Sequence, residues 1–146
     1  PDQLARLKAN PDLMPNAIEE LLRYDGPVER ATLRFAAVDV ELGGQTIRRS
    51  EPVAVVLAGA DRDPAHFANP DTLDLTRDNS RHLAFGYGVH YCVGAPLARL
   101  EGRIALDTLL RRLPNLRLAA PVEVLTWRFN PILRGMSHLP VAWDGD

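Results

Sequence analysis

The chain has only one cysteine in 146 residues, Cys92, so no disulfide can form within it and a reducing compartment suits it. Long apolar runs are missing as well. The longest, Val53 to Ala60, is interrupted by Gly59 and falls far short of the roughly 20 residues that cross a bilayer. No membrane span is expected. Charge of one sign is not in excess either, since 17 Lys and Arg face 19 Asp and Glu, and a net charge of −2 leaves no footprint for nucleic acid. Pro1-Asp2-Gln3-Leu4 offers no initiator Met and no basic-then-apolar leader, and reads as an internal or excised start. What remains, 46% hydrophobic and 25% charged residues, describes an ordinary globular chain. At about 150 residues such a chain buries about 70% of its unfolded surface, enough for one domain spanning 1–146.

Leu4 and Leu7 place a short helix over Asp2 to Asn10, stopped near Pro11. A second helix follows, with Asn16 as its cap, Glu19 completing a capping box and Gly26-Pro27 ending it near Asp25. Its apolar stripe is Ile18, Leu21 and Leu22, which puts Glu20 and Arg23 on the opposite side. Ala31 to Leu57 reads as one small antiparallel sheet, with strands Thr32 to Ala36, Val40 to Leu42, Thr46 to Arg48 and Val53 to Val56 and a Gly43-Gly44 hairpin turn. Arg62 to Arg81, rich in turn formers, reads as an ordered but irregular loop. Ala95 to Arg112 is the strongest helix, with Leu97, Leu100, Ile104, Ala105, Leu109 and Leu113 at helical spacing, Pro96 in its first turn and Arg111 and Arg112 in its last. Short strands near Leu116 to Leu118 and His138 to Val141 close the chain. The fold class is α+β, mainly helical with small antiparallel sheets.

The chemistry is concentrated in Phe85-Gly86-Tyr87-Gly88-Val89-His90-Tyr91-Cys92-Val93-Gly94. Three glycines let the backbone turn tightly and approach something flat and bulky, and the only thiol stands just before a helix. Free N–H groups and the positive end of a helix dipole favour a thiolate there, the form that binds iron. A lone core cysteine would need no such set of glycines.

Phe85-x-x-Gly88-x-x-x-Cys92-x-Gly94 resembles, in full, the haem-binding signature of the cytochrome P450 family. His82-Leu83-Ala84-Phe85-Gly86 and His90 resemble its soluble bacterial members. Glu20-Leu21-Leu22-Arg23 is similar to the family's Glu-x-x-Arg helix motif, and Asp61-Arg62-Asp63-Pro64 to the stretch before its meander loop. All 146 residues fall, in order, on the last third or so of a P450, with the distal half of that fold absent.

The resemblance implies haem b (iron protoporphyrin IX) with Cys92 as iron ligand and catalytic centre. Ala84, Phe85, Gly86, Gly94 and Ala98 would lie against the haem, and Arg34 and His90 would hold its propionates. Glu20 and Arg23, by position alone an exposed pair worth about 0.2 to 0.5 kcal/mol, would instead form a buried network. Its third member would be Arg62 or Arg77, between which the sequence does not choose. His82 is open between packing and a role in the site. Ala58-Gly59-Ala60-Asp61 resembles the family's oxygen-activating motif only superficially, since no threonine follows and it sits at a strand end.

The implied activity of the parent protein is monooxygenation of a small organic substrate. Electrons would come from a ferredoxin or flavodoxin with its reductase, in the cytoplasm. Only the strand end near Val56 and the tail around Pro131 to Leu133 would face the substrate. Alone the chain is expected to be inactive, and its bared apolar surface implies either self-association or a retained piece of a longer protein. A haem-binding module without turnover and a haem-free structural fragment are the alternatives.

Overall fold

Pro15 needs no N–H partner in the first turn of a helix, and in the computed structural model, which describes residues 2–78 and 81–145, the second helix accordingly starts ahead of Asn16. Helix α1 is Asp2–Ala9, and α2 is Met14–Asp25. Asn16 is therefore not a cap. Its side-chain amide donates instead to the carbonyls of Leu75, at 2.7 Å, and Arg77, at 2.9 Å, fastening the long loop to the helix. Leu7, Met14, Ala17, Ile18 and Leu75 form the buried core, the Leu, Met and Ile side chains each contributing roughly 1.5 to 3 kcal/mol on burial.

The expected single sheet is instead a set of two-stranded ladders. Strand β1 (Arg34–Phe35), β2 (Val40–Leu42), β3 (Gln45–Ile47) and β4 (Pro52–Val53) pair as β1 with β4 and β2 with β3, all antiparallel, the second pair turning at Gly43-Gly44. Asp39 supplies the reason for the break. Its carboxylate accepts the Arg49 N–H at 2.8 Å and the Arg48 guanidinium at 2.9 Å, and Ser50 turns with φ 70°, so the chain leaves β3 before it can widen the sheet. Beyond β4, residues 55–56 run beside 30–31 while 132–133 runs beside 28–29, making an irregular wall. Ala58 to Asp61, expected at a strand end, begins inside the one-turn helix α3 (Leu57–Ala60).

Helix α4 occupies Ala95–Arg112, and β5 (Arg117–Leu118) pairs with β6 (Val141–Ala142). α4 meets α2 on a face the leucine periodicity does not single out: Ala95 is buried, Leu106 and Leu110 pack on the core, and a Cβ added at Gly102 would come within 3.3 Å of Ile18 Cδ1. Leu97, Leu100 and Ile104 lie on the other side, more than half exposed. A helix apolar on both sides belongs between two layers, and this chain supplies one. No helix among the described residues is long and apolar enough to cross a membrane.

Candidate functional site

Leu83 to Gly94 folds into a hairpin-like loop that delivers Cys92 to the start of α4. Gly86 (φ 73°) and Gly88 (φ 70°) take left-handed conformations that side chains disfavour, which reverses the chain within four residues. The Tyr91 N–H closes on the Gly88 carbonyl at 3.0 Å, and the Cys92 N–H donates to the Phe85 carbonyl at 2.9 Å. Cys92 is exposed. A Cβ added at Gly94 would stand 3.7 Å from its sulfur, so glycine there keeps the thiol uncovered.

The sulfur opens on a cleft of about 590 Å³. Its apolar walls come from Val28, Val55, Leu57, Leu83, Phe85 and Ile132, and its polar lining includes Arg30, Arg34 and His90 but no carboxylate. Arg34 donates to the hydroxyl of Thr32 at 2.5 Å and has no acidic partner among the described residues. Also among the described residues, no group of three or more His, Cys, Asp or Glu is gathered to hold a metal. One sulfur donor in an apolar, acid-free, cationic cleft fits a metal whose remaining ligands belong to a flat, anionic macrocycle, so the residues present fit a haem.

Of the residues assigned to cofactor binding from the sequence, Arg34, Phe85, Gly86, His90 and Cys92 line this cleft together. Gly94 adjoins the sulfur. Ala84 lies on a smaller cleft of about 240 Å³ with Arg23 and Arg62, and Ala98 faces Ile18 and Leu106 between α2 and α4.

Behind the loop, Glu20 and Arg23 are wholly buried although they oppose the apolar stripe, because the 61–77 loop covers that side of α2. Arg23 uses its five N–H donors on Glu20, at 2.7 and 3.0 Å, and on the carbonyls of Asp61, Pro70 and Thr72. Glu20 also accepts the Asp74 N–H at 2.9 Å and Arg77 Nε at 3.2 Å. Burial alone would push the Glu20 carboxyl up, but these donors outweigh it and hold it below its ordinary 4.5. Arg77 is thus the arginine that joins the pair. Arg62 is not part of it, since its guanidinium is taken by the Tyr24 carbonyl and the Asp71 carboxylate, both at 2.6 Å, and lies over the Tyr24 ring.

Two carboxylates that carried no site role in the sequence reading turn out to be central. Asp61, 2% exposed, accepts the Leu83 N–H at 2.6 Å and so fixes one wall of the cleft. Burial pushes its carboxyl above the ordinary 3.8, against the pull of the Leu83 N–H, His82 and Arg23. A raised carboxyl binds its proton more tightly folded than unfolded, so it costs stability as pH climbs from 3.8 through the raised value. Asp61→Asn keeps the acceptor and removes that cost. Its melting temperature should match or exceed the wild type near neutral pH, the difference fading in acid. A clear drop near neutral pH would contradict this. Glu19, expected in a capping box, instead accepts His82 Nε2 at 2.8 Å and a bidentate guanidinium from Arg99 at 2.7 and 2.8 Å. Since His82 Nδ1 receives the Ala84 N–H, Nε2 carries the proton to Glu19. Arg99 chiefly, then His82, hold the Glu19 carboxyl below its ordinary value despite burial. The only sequence sign of the Arg99 contact is its place seven residues after Cys92, about one turn into α4.

Known proteins resemble this chain in sequence and in fold. The family model described as Cytochrome P450 matches residues 7–117. The chain is 51% identical over 143 residues to the cytochrome P450 monooxygenase PikC of Streptomyces venezuelae, covering 98% of this chain and 34% of that protein. It is 48% identical to the 6-deoxyerythronolide B hydroxylase of Saccharopolyspora erythraea, covering 99% and 36%. Its structure superposes on the tirandamycin C-bound P450 monooxygenase TamI with a TM-score of 0.94 at 43% identity, covering 98% of this chain and 36% of that one. The chain thus spans about a third of the length of the relatives it matches. Its sequence, its fold and the loop that carries its only thiol agree: the chain belongs to the cytochrome P450 family.

Proposed function

We propose that this chain is the iron-ligating part of a haem-thiolate monooxygenase, with Cys92 as the axial ligand. The observation that carries the reading is the single thiol, left uncovered by Gly94, opening on an apolar cleft with Arg34 and His90 and no carboxylate. Haem b bound there would supply reductive activation of dioxygen and insertion of one oxygen atom into an organic substrate. The chain's own residues bind and orient. Phe85 and Leu83 give an apolar wall, the Phe85 carbonyl fixes the Cys92 backbone, and Arg34 and His90 take the propionates. Val55 and Ile132, on the same cleft, would meet a small organic substrate.

Electrons would come from a ferredoxin or flavodoxin with its reductase, in the cytoplasm. The segment alone does not turn over substrate in this reading, because the cleft is walled on one side and the outer face of α4 is bare. The reading is tested on the full-length protein by haem content and by reductant-driven oxygen uptake with a ferredoxin pair. Haem-loaded protein that consumes oxygen supports it. A protein that purifies without haem and takes none up from haemin contradicts it.

Arg34→Ala should speed haem dissociation about tenfold to a hundredfold, the equivalent of roughly 1.5 to 3 kcal/mol for one charge-assisted hydrogen bond, while sulfur ligation persists. Transfer of haem to apomyoglobin measures the rate. An unchanged rate would make Arg34 a solvated strand-end charge.

A further inference from the structure

We propose that Arg99 is a positioning residue that locks the Cys92 turn onto α2, holding both arms of the loop with one guanidinium seated on Glu19. Nε and one terminal nitrogen donate to the two oxygens of Glu19, at 2.7 and 2.8 Å. The other terminal nitrogen donates to the Tyr91 hydroxyl at 3.0 Å, and the group lies over the Phe85 ring, 4.6 Å from its centroid. These two contacts are on opposite arms of the loop. Phe85 gives its carbonyl to the Cys92 N–H, and Tyr91 is the residue bonded to Cys92. The two rings also meet edge to face, with centroids 6.4 Å apart. Glu19 adds a third point by taking His82, 10 residues before Cys92.

A surface ion pair alone contributes little. This one is bidentate, partly covered, with 35% of the Arg99 side chain and 25% of the Glu19 side chain exposed, and it fixes a plane. Lysine offers a point charge and could not serve Glu19, Tyr91 and the Phe85 ring together. The consequence is that the sulfur's position is set from α2 through Arg99, and not only by the backbone of its own loop. Its bearing on iron rests on the reading of Cys92 as ligand; the clamp itself does not.

Native-state hydrogen exchange on the full-length haem protein tests it, read at the Cys92 N–H that donates to Phe85. Arg99→Ala should speed exchange there by roughly tenfold while leaving the β2–β3 ribbon unchanged. Arg99→Lys should not restore the wild-type rate. Tyr91→Phe, which removes one hydroxyl and keeps the ring, should show a smaller rise confined to the same loop, and it carries the test if Arg99→Ala does not fold. An unchanged Cys92 rate in Arg99→Ala or, failing that variant, in Tyr91→Phe would overturn the proposal. So would an equal rise across α1 and the ribbon, which would mean general destabilisation. The carbon monoxide spectrum of the wild type separates the two claims: without a thiolate-type band the ligand reading fails, while the exchange pattern still judges the clamp.

Discussion

Glu20→Ala should keep the full-length protein from folding stably or retaining haem. Removing one partner of a buried pair costs on the order of 3 to 5 kcal/mol, against a total stability of about 5 to 15 kcal/mol for a typical protein. Two of the five Arg23 hydrogen bonds end on Glu20, and the guanidinium has no access to water to replace them. Arg77 and the Asp74 N–H would lose an acceptor too, so the 61–77 loop would loosen from α2. Glu20→Gln, which keeps the shape but not the charge, should fall between. The pH dependence has a definite sign. A carboxyl held below 4.5 contributes stability that is complete above that value and is lost as pH falls through the lower folded one, so the wild type should lose this contribution in acid and Glu20→Gln should not. Urea melts and haem content across pH check it. Unchanged melting and haem content in Glu20→Ala would refute the network.

Cys92→Ala should abolish the thiolate-type band of the ferrous carbon monoxide complex. No second cysteine can substitute, and no other side chain on the cleft is an anionic sulfur donor. His90, on the same lining, could at most give a nitrogen-type spectrum. Because the apolar walls and Arg34 are untouched, some haem should still bind, which separates loss of ligation from loss of the site. A haem-loaded Cys92→Ala protein that kept the band would show the assignment to be wrong.

What could be read from the sequence follows the range of the interactions involved. The bounds of α4, the Gly43-Gly44 hairpin and the Cys92 loop depend on local spacing and turn chemistry, and all stand where the residues put them. Burial of Glu20 and Arg23 could not be read from helical periodicity, because what covers them is a loop that offers Arg23 backbone carbonyls 38 to 49 residues further on, which have no sequence signature. The choice of Arg77 over Arg62 depended on Tyr24 and Asp71 claiming the latter. Asn16 and Glu19 fitted a capping box, yet each found a better partner across the fold, and Pro15 had already moved the helix start. The roles of Asp61 and Arg99 could not be read for the same reason: Asp61 reaches Leu83 and Arg99 reaches Glu19 through contacts close in space and distant in sequence.

The central claim is that the sulfur of Cys92 is bonded to haem iron, and X-ray absorption at the iron edge of the haem-loaded full-length protein reads that bond directly. A sulfur scatterer in the first coordination shell that disappears in Cys92→Ala is the expected result; a wild-type shell of nitrogen and oxygen alone would contradict the account.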